Sequence, residues 1–239
     1  IMSLSILKSI YNILLLILLP FIGISQVVDT VRVKPDWKPS RLHVGVDVSR
    51  LIGTAIKTHK NSVGGMIDLD FHRFLFAVES GVEEISRIKT YKYTNQGTFL
   101  KWGIDYNLIP HNKYRNMISL GLRHAQSRFS DELKFKEEND WLGTQDLQFS
   151  NKNVKSNWTE ILLRLNVRVW KTLLLGSVLR IKMMKNVYTP NQFISFDIPG
   201  WGRNWKSGTN EKTANMGFSY YLIYNFSYRE KKIPTRKIK

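Results

Sequence analysis

Eight stretches of this chain alternate apolar and polar residues, and the gaps between them run long and short by turns. A β-strand sends successive side chains to opposite faces, so a period of two marks a wall with one apolar and one polar side. Eight such walls with alternating connections predict an all-β fold, an eight-stranded antiparallel transmembrane β-barrel.

The parity reads clearly along the chain. Leu42, Val44, Val46 and Val48 oppose His43, Gly45, Asp47 and Ser49, and Ile67, Leu69 and Phe71 oppose Met66, Asp68 and Asp70. After His72-Arg73, a third run sets Phe74, Phe76, Val78 and Val82 against Ala77, Glu79, Gly81 and Glu83. A fourth sets Leu100, Trp102, Ile104, Tyr106 and Leu108 against Lys101, Gly103, Asp105 and Asn107. The fifth opposes Ile118, Leu120 and Leu122 to Ser119, Gly121 and Arg123, and the sixth opposes Ile161, Leu163, Leu165, Val167 and Val169 to Glu160, Arg164, Asn166 and Arg168. In the seventh, Leu175, Leu179, Ile181 and Met183 face away from Gly176, Arg180 and Lys182. The eighth is aromatic at every outward position from Phe218 to Tyr228 except Leu222, resembling the C-terminal signal of outer-membrane barrels. The long gaps are Leu51–Gly64, Glu84–Thr98, Gln126–Asn157 and Met184–Ala214. They place four loops outside the cell and both termini in the periplasm.

An export signal precedes the strands. Lys8 is followed by an apolar run, Ile13–Ile24, broken by Pro20 and Gly23, with Gly23 and Ser25 small before Gln26. This predicts a signal peptide over residues 1–25, a periplasmic lead-in over 26–40, the barrel over 41–228 and a basic periplasmic tail over 229–239. The chain has no cysteine, which excludes a lipoprotein anchor, disulfides and thiolate–metal chemistry. The net charge of +17 would suit nucleic acid in a cytoplasmic protein. An exported chain has no such partner. Its basic loops and tail point to the outer membrane and lipopolysaccharide phosphates.

Parity leaves two sides to choose between, and a soluble lipocalin-like carrier would turn the apolar side inward. Small Gly, Ser and Asn on the polar faces suit a narrow lumen and favour the membrane barrel. The lumen then receives Asp47, Asp68, Asp70, Glu79, Glu83 and Asp105 with Lys101 from the first four strands. The last four supply Arg123, Arg164, Arg168, Arg180 and Lys182 with Glu160. Charges confined in so narrow a barrel must pair. A paired ionic core that closes the lumen is the expectation, and a general pore is not.

No catalytic residues, cofactor or metal site are expected. Asp68 and Asp70 share a face as catalytic carboxylates would, but any polar lumen shows that spacing, and a basic wall opposite holds them ionised. The histidines His43, His59, His72, His111 and His124 lack metal-ligand spacing. His124 and Ser127 resemble the His/Ser dyads of lipid A deacylases, yet they stand three apart and point to opposite walls. Aromatic residues on the third and fourth loops are candidate partner contacts: Phe129, Phe135, Trp141, Phe149, Tyr188, Phe193, Trp201 and Trp205.

The chain resembles a family of uncharacterised small outer-membrane barrel proteins of Bacteroidota. The resemblance rests on Ile24-Ser25-Gln26, Val44-Gly45-Val46-Asp47, Gly103-Ile104-Asp105-Tyr106-Asn107 and Gly121-Leu122-Arg123 with Phe129-Ser130-Asp131-Glu132. It covers most of the mature chain. It implies an outer-membrane location and no particular activity, so no site residue carries over. Because some small barrels in this lineage accompany larger assembly or secretion machines, the resemblance implies an accessory or structural subunit in such a complex. The alternatives are an outer-membrane lipid-modifying enzyme and the soluble carrier.

Overall fold

A computed structural model describes residues 37–56, 59–88, 90–109, 116–139, 143–184, 193–204 and 213–229. The proposed signal peptide, most of the lead-in and nearly all of the basic tail lie outside the described residues.

Eight long strands form one closed antiparallel barrel. They are β1 (Arg41–Asp47), β2 (Lys60–Phe71), β3 (Phe74–Ile88), β4 (Tyr91–Asn107), β5 (Met117–Asn139), β6 (Gly143–Arg168), β7 (Leu173–Met183) and β10 (Ala214–Ser227). Each pairs with its chain neighbour, and β1 closes the ring against β10 from Arg41↔Ser227 to Asp47↔Tyr221. A nine-residue helix, α1 (Val48–Ile56), follows β1, and a small hairpin of β8 (Asp197–Ile198) and β9 (Gly202–Arg203) sits between β7 and β10.

The alternation read from the sequence is the alternation of the wall. On β6, Ile161, Leu163, Leu165 and Val167 are exposed to the outside, while Glu160, Leu162, Arg164 and Asn166 are buried inside. The wall is uneven in height. Pairing of β6 with β7 stops at Thr159↔Met183, whereas β5 and β6 climb on to Asn139↔Gly143.

Three expected loops are therefore wholly or partly replaced by regular structure, chiefly strand. Most of Gln126–Asn157 is the β5–β6 ladder, with a bulge between Phe129 and Asp131 and Asn153 at φ 56°. Much of Glu84–Thr98 is ladder of β3 and β4, from Glu84↔Gln96 to Ile88↔Lys92. Part of Leu51–Gly64 belongs to β2. Conversely, Val48 and Ser49, expected to end the first strand, begin α1.

The side that is apolar changes with height. Below, the outside is apolar and the inside charged: Leu122 out with Arg123 in, Ile161 out with Glu160 in. Above, parity continues but polarity swaps. Ala125, Phe129, Val154 and Trp158 are buried inside, while Arg128, Lys155 and Asn157 stand exposed outside. The swap falls at Phe99–Lys101 on β4, His124–Ala125 on β5 and Trp158–Glu160 on β6.

Candidate functional site

The lower lumen is filled by a connected set of charges. Arg164 from β6 reaches across to β2, with a nitrogen 2.5 Å from Asp68 Oδ2, and its other terminal nitrogen lies 3.1 Å from Asp105 on β4. Asp68 also meets His43 Nδ1 at 2.6 Å. Arg123 holds Asp105 at 2.6 Å. Above them Arg180 bridges Glu79 at 2.9 Å and Glu160 at 3.0 Å, and Lys101 reaches Glu160 at 2.8 Å. Tyr221 donates to Glu79 and Trp158 Nε1 donates to Glu160. Room for this comes from Gly121, where a methyl group would run into the Asp105 carboxylate. An apolar wedge of Met66, Leu162, Leu174, Val178 and Ile223 fills the rest. At the short-turn end, Asp70 accepts from the Ser40 and Arg41 amides at 2.8 and 2.7 Å.

The upper mouth is closed by two devices. Arg50 on α1 turns inward to Asp47 at 3.1 Å and to Glu83 at 2.9 Å, and Lys60 meets Glu83 at 2.8 Å. Over this sits the segment carrying the β8–β9 hairpin, whose Trp201 packs with Phe99, Phe129, Val154, Trp158 and Ile198. Gly200, at φ 78°, lets the turn press on Phe99. Lys182 donates to the carbonyls of Gly200 and Trp201 at 2.8 and 2.9 Å, so a lumen cation anchors the lid.

The lid is also pinned to the tall wall. Arg87 pairs with Asp197 at 2.8 Å, and Asn95 donates to the Asp197 carbonyl at 2.9 Å. Tyr93 donates to Asp131 at 3.1 Å, and Asn151 donates to Asp131 at 2.9 Å and to the Phe193 carbonyl at 3.0 Å. Burial pushes the Asp131 carboxyl above its ordinary value, and hydrogen bonds from Ser195, Asn151 and Tyr93 offset part of that. Burial, with Asp131 beside it, pushes the Tyr93 hydroxyl up as well, so it stays a donor. A carboxyl raised in the fold contributes stability that is complete below its ordinary value near ~4 and is lost as pH rises through the raised one. Amide exchange at Asp197 and its neighbours, corrected for intrinsic rate, should therefore slow on acidifying from neutral pH to below about 4. Asp131→Asn should remove most of that pH dependence.

Thirteen residues were assigned to the lumen from parity, and twelve of them are buried inside the barrel. Arg168 is the exception: it lies half-buried at the short-turn rim, its amide donating to Asn116. The pairing is only partly wall against wall. Asp68–Arg164 and Glu79–Arg180 span the lumen, but Asp47 and Glu83 are met by Arg50 and Lys60, Asp70 by backbone amides, and Lys182 by carbonyls. Parity could not supply Arg50, because its strand had already become helix. The available signal was its spacing three residues after Asp47.

The loop aromatics divide. Phe129 and Trp201, expected as exposed contacts, are 3% and 1% exposed. Above the polarity swap the interior holds an apolar cluster beside buried Asn95, Ser127, Asp131 and Asn151, and both aromatics belong to that cluster at the lid. Phe135 and Phe149 stack at 6.0 Å near the β5–β6 crest, half-buried, and Phe193 lies 6.3 Å from Phe196. Trp141, Tyr188 and Trp205 lie outside the described residues. His124 is exposed on the outer wall against Trp102, while Ser127 is buried inside and donates to the Thr98 carbonyl, so the two make no dyad. Among the described residues, no cluster of three or more His, Asp or Glu is arranged to hold a metal.

Comparison with known proteins gives a family and a fold. The family model for a "Domain of unknown function (DUF6048)" matches residues 6–231. No curated protein matches. Among solved structures, the chain is similar to Neisserial surface protein A at 10% identity and a TM-score of 0.42, over 80% of this chain and 96% of that one. It is also similar to a major outer membrane protein from Thermus thermophilus at 12% identity and a TM-score of 0.40, over 79% and 98%.

Proposed function

The chain belongs to the DUF6048 family, and we propose that it is an integral outer-membrane β-barrel with a closed, charge-filled lumen, serving as a structural or accessory subunit of a larger outer-membrane assembly. The polarity swap carries the membrane part. A soluble carrier keeps its apolar side inward along the whole wall, and a barrel wholly in water has no reason to reverse. An apolar exterior below the swap and a polar one above it match a wall that leaves a bilayer part-way up. The tall end then faces the medium and the short turns face the periplasm.

Closure argues against transport as the main task. Among the described residues, ion pairs, the apolar wedge and the lid pack the lumen, and the cleft beside Arg50 and Lys101 measures about 10 Å³, room for no more than about one water. What the molecule offers outward is the β5–β6 crest. There Leu133↔Phe149 and Phe135↔Leu147 put four half-buried apolar side chains on one projecting hairpin. Such an apolar hairpin surface is a fitting anchor for a partner protein.

Gentle detergent extraction with a tag at the C-terminus, followed by mass spectrometry of what stays bound, tests the subunit reading. A stoichiometric larger barrel or lipoprotein, lost from the Phe135→Asp/Leu147→Asp variant, is the expected result. Recovery of the protein alone, from membranes in which it is folded, contradicts it.

A further inference from the structure

The outer wall of β3 to β6 arranges three chemistries in one vertical column. At its foot Ile104, Leu122 and Ile161 lie in register across three strands and are 52%, 58% and 47% exposed, an apolar stripe. Above it Trp102 and His124 meet edge to face at 4.8 Å. One step higher come Gln126 and Asn157, and then Arg128 directly opposite Lys155.

That pair is unusual. Like charges in direct cross-strand register repel, and among the described residues no carboxylate lies within ion-pair reach of either. Directly above opens a depression of about 280 Å³, lined by the carboxylates Glu84 and Glu132 as well as Thr94, Gln96, Ser130, Ser150 and Lys152. Those hydroxyl, amide and charged groups suit sugar hydroxyls. About 7 Å of strand separates Arg128 from Ser130, so a phosphate on the cations would bring an attached sugar to the depression.

We propose that this column binds a phosphorylated glycolipid of the outer leaflet: acyl chains on the stripe, a phosphate between Arg128 and Lys155, and sugar hydroxyls in the depression. The anion relieves the repulsion between the two cations through charge-assisted hydrogen bonds. A plain phospholipid would satisfy the stripe and the cations but leave the depression unused. The proposal rests on the membrane reading above.

The test uses the full barrel, folded in detergent micelles, with binding followed by native mass spectrometry. The probes are bisphosphorylated lipid A carrying its first core sugars (hereafter lipid A), the same lipid dephosphorylated, phosphatidylglycerol and inorganic phosphate. Bisphosphorylated lipid A should bind at least about tenfold more tightly than the dephosphorylated form and than phosphatidylglycerol, with inorganic phosphate negligible. The Arg128→Gln/Lys155→Gln variant should lose about tenfold in affinity for it, while Arg73→Gln at the other end of the barrel should lose none. Gln96→Ala/Ser130→Ala should weaken lipid A without changing phosphatidylglycerol. Both cations are exposed, so heat-modifiable gel mobility should show the variants folded. Equal binding of lipid A and phosphatidylglycerol, or no effect of the Arg128/Lys155 change, overturns the site. A protein that stays soluble and folded without detergent instead overturns the membrane reading on which it stands.

Discussion

Arg164→Met should destabilise the barrel by ~3–5 kcal/mol, the cost of leaving buried charges without their partner. Arg164 is 2% exposed and lies between two carboxylates, Asp68 on β2 across the lumen and Asp105 on β4, two strands along the wall. Methionine keeps the length and loses the charge. Asp68 retains only His43, and Asp105 retains only Arg123, so the lower lumen is left one positive charge short. The companion Arg164→Met/Asp68→Asn removes one charge of each sign and should recover a good part of the loss. Urea unfolding in lipid vesicles, read by gel mobility of unheated samples, measures both. Equal stability of wild type and Arg164→Met would mean that the network contributes little.

An arginine in place of Leu165 should cost ~2–4 kcal/mol, because on the proposed membrane reading that position faces lipid near mid-membrane. Leu165 is 40% exposed on the outer wall and sits in register with Ile118 and Ser177. The informative comparison is Asn157→Arg on the same strand and the same face. Asn157 lies above the polarity swap, and arginine there should cost ~0–1 kcal/mol. Two arginines eight residues apart, with unequal penalties, would locate the bilayer edge between them. Equal penalties would mean that no such edge exists.

This contrast also explains what was legible in the sequence. The eight strands were readable because lipid on one side and ions on the other impose opposite chemistry at every step. Ile161 through Val167 shows it without a break. The upper wall was not readable, because beyond the bilayer nothing forces its outer face to be apolar. Gln126, Arg128 and Ser130 outside, with Ala125, Ser127 and Phe129 inside, carry only a weak alternation, interrupted by polar Ser127 on the inner face, so a long ladder read as a loop. The inversion itself was visible in principle: after Arg123 the apolar residues of β5 move from even to odd positions.

Lumen residues were legible for the same reason, and their partners were not. Parity states which face a side chain takes, whereas Arg164–Asp68 depends on which strands meet across a closed ring. Lys182 shows the limit best. It lies on the predicted face, but its acceptors are carbonyls of a lid that had read as an exposed aromatic loop. Phe129 and Trp201 were misjudged because their loops, too, had read as exposed.

The native chain has no cysteine, so single cysteines introduced one at a time from Thr159 to Val169 can each carry a spin label without background. Accessibility of each label to oxygen and to a water-soluble nickel chelate, in reconstituted vesicles, tests inside against outside and open against closed together. Oxygen should reach the labels at Ile161, Leu163, Leu165 and Val167, while neither reagent reaches Leu162 or Asn166. Nickel access at those even positions would mean a water-filled pore, and nickel access at the odd ones would mean a barrel standing in water.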